Sequence, residues 1–253
     1  MILDRIVEAT QSRIAALPAV PDQPHPRPGN PRRLSSALGV SHDRNAIIAE
    51  IKFASPSRGT IRAGSDPQEL ARMFVSSGCA ALSVLTEPAF FHGRPEFITA
   101  IREQVEVPIL RKDFIIDERQ LVESRMLGAD AVLLIAALLR DRLPEFVDLA
   151  LRLGLEPLVE VHSGEEMMQA LDTGTRIVGI NNRNLATLTI DLSTTLRLAP
   201  MARKAGRIVV SESGILWPAD IRTLRPYADA FLIGSSIMSS SDPEKTLEGF
   251  LFA

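Results

Sequence analysis

The chain has 253 residues, 45% of them hydrophobic and 5% aromatic, and a formal charge of −3. That length suits two small domains or one large one, including a single (βα)8 barrel, and the composition suits a soluble α/β core of Leu, Ile, Val and Ala. A slightly acidic chain has no general attraction for nucleic acid or anionic membrane, and a single cysteine, Cys79, excludes an internal disulfide framework and a Cys-rich metal site.

The N-terminal stretch MILDRIVEATQSRI carries charges every few residues, so it is not read as a secretory signal. The longest apolar run, Ala131 to Leu139, is too short to cross a bilayer, and a reducing cytoplasm is the expected location. Leu3, Ile6, Val7, Ile14 and Leu17 share one helical face and predict an amphipathic helix of about four turns, stopped by Pro18. Residues 18–31 contain six prolines, which fit neither a helix interior nor a central strand, and read as an extended connector. His25 is taken as an exposed residue of that connector.

From Ala46 onward one unit recurs: a short aliphatic run, a polar loop, an amphipathic helix, then often a glycine. The runs are Ala46–Ile51, Ala80–Leu85, Pro108–Arg111, Ala131–Ile135, Pro157–Val161, Ile177–Ile180, Ile208–Ser211 and Ala230–Ile233. Helices are predicted at Pro67–Ser77, Pro95–Gln104, Glu118–Leu127, Leu143–Leu153, Gly164–Leu171, Ser193–Ala202, Pro218–Leu224 and Pro243–Phe250, several behind capping residues (Asp66, Asp117, Ser163, Asp242). Such alternation implies a parallel sheet. An open doubly wound sheet would carry a GxGxxG turn after an early strand, and none follows Ile51 or Leu85. Eight units therefore point to a single (βα)8 (TIM) barrel over 46–253, with an N-terminal helix and proline-rich connector over 1–45. Cys79, in the passage SGCAALSVL, is read as a buried packing residue.

Chemistry in such a barrel lies where strands end. The first strand ends in Glu50 and Lys52, two residues apart and so on one face; the third ends in Arg111, Lys112 and Asp113; the fifth in LVEVH; the sixth in GINNRNL; the seventh in VSESGI; the eighth in LIGSS. Glu160 interrupts an apolar run where a lone carboxylate would be costly to bury. If Lys112 faces the cavity, Arg111 and Asp113 face the helix layer as structural residues. His162 could share the face of Glu160 and is read first as a rim residue. The four histidines are scattered without HExxH spacing, which argues against a metal site.

Two segments are suited to an anion: Ser213-Gly214 after the seventh strand, and Gly234-Ser235-Ser236 after the eighth, with Ser55 of the first loop able to join them. Loops after these strands are the recurrent phosphate site of barrels. Either alone reads equally as a glycine turn; together they argue for a small phosphorylated substrate.

AEIKFASPSRG, PILRKDFIID, LVEVH, GINNRNL, VSESGI and FLIGSSIM, in this order and spacing, closely resemble the motifs of the indole-3-glycerol phosphate synthase family, from about Ala46 to the C-terminus. The resemblance implies a cofactor-independent carboxy-lyase of tryptophan biosynthesis that closes 1-(2-carboxyphenylamino)-1-deoxyribulose 5-phosphate to indole-3-glycerol phosphate, with no metal. It implies Lys112 as general acid at the substrate ketone and Glu160 as the carboxylate of proton transfer in dehydration. Lys52 would be the lysine that meets the anthranilate carboxylate, and an alternative donor at dehydration. Glu50 and Asn181 would orient these groups, and Arg183, Glu212 and Ser213 would contact substrate. Ser55, Gly214, Gly234 and Ser235 would hold the phosphate. The implied partner is that substrate alone, with neither nucleic acid nor membrane, acting on a monomer; weak association with other tryptophan-pathway enzymes is left open.

Two departures from the family pattern stand out. Phe53 follows Lys52 where many relatives have a second basic residue, and the proline-rich connector is unlike the usual charged helical extension, so no role is carried over to residues before Arg44. The enzyme rival is another phosphate-binding barrel, such as phosphoribosylanthranilate isomerase, which would lack the set Lys52, Lys112 and Glu160. A barrel that only binds a phosphorylated metabolite or a partner protein would not require all three.

Overall fold

The computed structural model describes residues 2–17, 32–39 and 43–253; the connector predicted at 18–31, with His25, lies outside the described residues. Eight parallel strands close into a barrel: β1 (Ala46–Ile51), β2 (Ala81–Leu85), β3 (Ile109–Lys112), β4 (Ala131–Ile135), β5 (Glu156–Val161), β6 (Ile177–Asn181), β7 (Ile208–Glu212) and β8 (Ala230–Ile233). They pair in sequence order around the barrel, and β1 closes it against both β2 and β8. Three strands run one residue beyond the predicted ends, to Lys112, Asn181 and Glu212. These polar residues are still hydrogen-bonded members of the barrel wall.

The predicted helices stand between these strands, those at Pro67–Ser77, Glu118–Leu127, Gly164–Leu171 and Pro218–Leu224 with the expected bounds. Each proposed cap accepts a backbone N–H: Asp66 from Gln68 at 2.9 Å, Asp117 from Arg119 at 2.9 Å, Ser163 from Glu166 at 3.2 Å and Asp242 from Lys245 at 3.0 Å. Single turns absent from the expectation occur at Leu34–Ala37, Pro88–Phe91, Ala136–Leu139 and Ser235–Met238. One turn is too short to show a helical period.

Alternation along each strand divides the apolar residues into two cores. One lies between barrel and helices and includes Ile47, Ile51, Phe74, Phe146 and Phe231. The other fills the barrel with Ala46, Ile48, Leu110, Leu133, Leu158, Ile177 and Val210, and Leu34 and Leu38 belong to it. The turn Leu34–Ala37 thus caps this core where the strands begin. It is fixed there by Ser35, whose N and Oγ donate to Glu156 at 2.9 and 2.6 Å. Cys79 is buried and its thiol is pushed up to about 12 by burial, consistent with packing rather than nucleophilic work.

Candidate active site

Carrying the same alternation upward from the apolar interior brings the inward side chains at the C-terminal ends to Glu50 on β1, Lys112 on β3, Glu160 on β5, Asn181 on β6 and Glu212 on β7. All five line one open-mouthed cavity, together with Lys52, Ser55, Arg183, Ser213, Gly214, Gly234 and Ser235. Every residue singled out in the sequence for a functional role is therefore at one place.

Charge is arranged in two groups. Lys52 Nζ pairs with its neighbour Glu50. Lys112 reaches across the barrel instead, with Nζ 3.0 Å from Glu212 Oε2 and 3.3 Å from Glu160 Oε2. Burial disfavours the Lys112 ammonium, but the carboxylates of Glu212, Glu160 and Glu50 outweigh this and raise its pKa. The two carboxylates that share it are pushed apart. Burial raises Glu212, and Lys112 offsets this only in part while Glu160 adds to it, so Glu212 rises to about 7. Burial also acts upward on Glu160, yet Lys112, His162 and a hydrogen bond from Asn181 bring it below the usual carboxylate range. The site therefore holds one carboxylate that keeps its charge and one that titrates near neutrality, around a permanent cation. That is a set suited to moving protons in both directions.

Two glycines make room for these carboxylates. A Cβ on Gly179 of β6 would meet Glu212 Oε1 and stand 2.5 Å from Leu158 Cδ2; a Cβ on Gly234 would lie 2.9 Å from Glu50 Cβ and Cδ. After β7 the chain turns through Ser213 (φ 63°) and Gly214 (φ 85°), where a side chain on Gly214 would run into Ile190 and Leu192. Asn182 holds this turn by donating to Ser211 Oγ, Glu212 O and Ser213 O at 3.0–3.1 Å.

Arg111 and Asp113 face the helix layer, as the alternation requires. Arg111 is fully buried and donates to Thr86, Gln120 O, Ser124, Asp113 and Glu123. Asp113 accepts from Arg111, from Thr86 Oγ1 at 2.6 Å, and from Arg13 Nη2 at 2.9 and 2.8 Å through both oxygens. Arg13 belongs to the N-terminal helix, Ile2–Ile14, and this pair anchors the helix beside Lys112. Ile2, Leu3 and Ile6 consequently line the cavity, a contribution not read from the sequence. Arg58 also lines it, from within the AEIKFASPSRG motif. Phe53 points elsewhere, packing edge to face on Phe97 at 5.7 Å, so the second basic position is filled by a structural aromatic. His162 is more engaged than a rim residue, with its ring between Glu160 and Glu166.

A family model described as indole-3-glycerol phosphate synthase matches residues 3–250. Among curated relatives, an indole-3-glycerol phosphate synthase of Carboxydothermus hydrogenoformans is 48% identical over 207 residues, covering 81% of this chain and 78% of its own. One of Azoarcus sp. is 50% identical over 207 residues, with the same coverage of 81% and 78%. One of Methanopyrus kandleri is 41% identical over 248 residues, covering 97% of this chain and 96% of its own. With a match across nearly its whole length and a barrel that gathers the family's motifs at one cavity, the chain belongs to the indole-3-glycerol phosphate synthase family.

Proposed function

We propose that Lys112, Glu160 and Lys52 carry the proton transfers by which this barrel closes 1-(2-carboxyphenylamino)-1-deoxyribulose 5-phosphate to indole-3-glycerol phosphate, with loss of carbon dioxide and water. The activity is that of the family, a lyase of tryptophan biosynthesis acting on a small phosphorylated substrate. The division of roles rests on one observation: the Lys112 ammonium is held between Glu160 and Glu212 inside the cavity.

Attack of the aromatic carbon on the ketone builds negative charge on the ketone oxygen, and a fixed ammonium both stabilises that charge and supplies its proton. Lys112 is charged whenever substrate arrives, and an alkoxide is basic enough to take a proton from it. Loss of carbon dioxide then restores the aromatic ring. Dehydration needs an acid at the departing hydroxyl and a base at the adjacent CH2. Glu160, with its charge retained, is the base, and Lys52, paired with Glu50 and lining the cavity, meets the anthranilate carboxylate and is the second donor. Glu50 and Asn181 orient these groups: Asn181 accepts from Arg183 N at 3.0 Å while its side chain also bonds Glu160.

Arg183, Glu212 and Ser213 contact substrate in this reading. Ser55, Gly214, Gly234 and Ser235 take the phosphate, supported by the turn at Ser213-Gly214 and by the unpaired first N–H groups that any helix start, here Ser235–Met238, presents. Ile2, Leu3 and Ile6 offer an apolar wall to the aromatic ring, so the segment 1–45 works with the barrel 46–253 although it precedes it as a separate unit. We read the enzyme as a cytoplasmic monomer. No helix among the described residues is long and apolar enough to cross a membrane.

The test is to supply the carboxyphenylamino-deoxyribulose phosphate and follow the fluorescence of the indole formed. Product is expected with the folded wild-type chain, and its absence would sink the assignment.

A further inference from the structure

The reaction has an incomplete proton balance within the site. Substrate enters with an ionised anthranilate carboxylate that leaves as neutral carbon dioxide. The ketone oxygen leaves as water carrying two protons, and only one of them is recovered from the CH2 group. Each turnover therefore takes one proton from solvent, and the three carboxylates and the ammonium at the centre are buried or nearly so. While substrate fills the cavity, that proton needs a route through the barrel wall.

We propose that His162 is this inlet, a positioning and relay residue that recharges Glu160 from solvent through Glu166; the inference rests on the reaction assigned above. His162 is outside the cavity lining, so it does not touch substrate. Its Nε2 is 3.4 Å from Glu160 Oε1, while the other oxygen of Glu160 is 3.3 Å from Lys112 Nζ. Its Nδ1 is 3.1 Å from Glu166 Oε2, and the same oxygen accepts the His162 backbone N–H at 2.7 Å. Glu166, at the start of helix Gly164–Leu171, keeps a side chain one-fifth exposed. Nε2 is buried and makes no hydrogen bond in this resting arrangement, a donor position held for Glu160.

The charged groups acting on the ring are Glu166 on its own helix, Glu160 on β5 and Glu212 on β7. Helix Ala136–Leu139, packed on both β5 and helix Gly164–Leu171, brings no charge, and Glu145, Asp148 and Arg152 of helix Leu143–Arg152 are exposed. Burial lowers the imidazolium pKa, but the hydrogen bond to Glu166 and the nearby carboxylates overcome this and raise it above the ordinary histidine value, which favours the charged ring. Once Glu160 has returned the CH2 proton to Lys52 across the cavity, the imidazolium gives its Nε2 proton to the freed Glu160 Oε1 and is left neutral with Nδ1–H toward Glu166. A half-turn of the Glu160 carboxyl presents that proton to Lys112. Uptake of one solvent proton, with a half-turn of the ring that brings the bare nitrogen to Glu166, restores the imidazolium. No bond to carbon changes and one proton enters per turnover.

The experiment measures kcat and KM against pH for wild type, His162→Gln, His162→Ala and Glu166→Gln. His162→Gln keeps a side chain able to hydrogen-bond but unable to titrate; kcat should fall about 10²-fold, within the range for a lost acid–base group, with KM changed less than about threefold. In His162→Ala, added imidazole should restore kcat in proportion to its concentration. Glu166→Gln should shift the alkaline limb of the kcat profile downward in pH, since it removes a carboxylate that raises the ring and so keeps the donor imidazolium charged. Wild-type turnover with kcat of His162→Gln within twofold, or a loss that imidazole does not rescue in a folded His162→Ala, overturns the relay and leaves the assigned reaction standing. If His162→Ala does not fold, His162→Gln and Glu166→Gln decide. Absence of wild-type turnover overturns the reaction itself.

Discussion

Gly179→Ala tests whether the carboxylate geometry was made by leaving a side chain out. The added methyl would stand 2.5 Å from Leu158 Cδ2 and closer still to Glu212 Oε1, with Glu212 Cδ at 3.2 Å. Carbon atoms rest at about 3.5–4.0 Å, so Leu158 must retreat by about 1 Å and Glu212 by a similar amount. Leu158 is locked in the barrel core, which leaves Glu212 to take most of the movement. A shift of that size lengthens its 3.0 Å contact with Lys112 beyond hydrogen-bond range. Misplacement of about 1 Å in a catalytic array is worth roughly 10²-fold in rate. Overpacking should also remove about 1–3 kcal/mol of stability. Indole fluorescence gives kcat, thermal unfolding gives the stability loss, and a structure of the variant locates Glu212. An unchanged kcat with Glu212 displaced would refute its part in the site, and an unchanged kcat with Glu212 in place would refute the steric reasoning.

Lys112→Met should still bind indole-3-glycerol phosphate, by fluorescence titration, while kcat falls by about 10²–10⁴-fold; unchanged turnover removes Lys112 from the mechanism. Arg13→Ala removes both hydrogen bonds from Arg13 to Asp113 and should destabilise the fold by about 1.5–3 kcal/mol. It should also raise KM as Ile2, Leu3 and Ile6 lose their anchorage, and KM equal to wild type would separate the helix from substrate binding. Asp113 bears on acid stability as well. Burial pushes its pKa up, but Arg111 and Arg13 together hold it below the usual value. Its contribution is therefore complete above the unfolded carboxylate pKa of about 3.9 and is lost as pH falls through the lower folded value. Melting temperatures from pH 6 to pH 2.5 should show Arg13→Ala falling less steeply on the acid side than wild type. Leu34→Ala should cost about 2–5 kcal/mol through loss of the cap on the barrel core, with KM unchanged because that turn lies at the end remote from the cavity.

What the sequence revealed, and what it hid, divides along a physical line. Side-chain parity is local: two residues decide a face. Hence Glu50 with Lys52, Lys112 against Arg111 and Asp113, and the inward course of Glu160 were legible once the strands were recognised, and the family motifs carried the remaining site residues. Choice of partner is not local. Lys112 bonds Glu160, 48 positions away, and Glu212, 100 positions away, through a barrel register that no pattern in β3 encodes. Arg13 meets Asp113 across the same separation of 100, beyond a connector whose prolines say nothing of where its ends go. Gly179 illustrates the limit most sharply. In a strand, glycine reads as a weak packing residue, and its purpose becomes visible only when Glu212 from the neighbouring strand is seen to occupy the missing Cβ position. The same reasoning holds for His162. Its spacing from Glu160 was plain, but the return of Glu166 from the following helix, which turns a rim histidine into a link between solvent and the buried carboxylate, depends on the Ser163 cap that aims that helix back at the strand end.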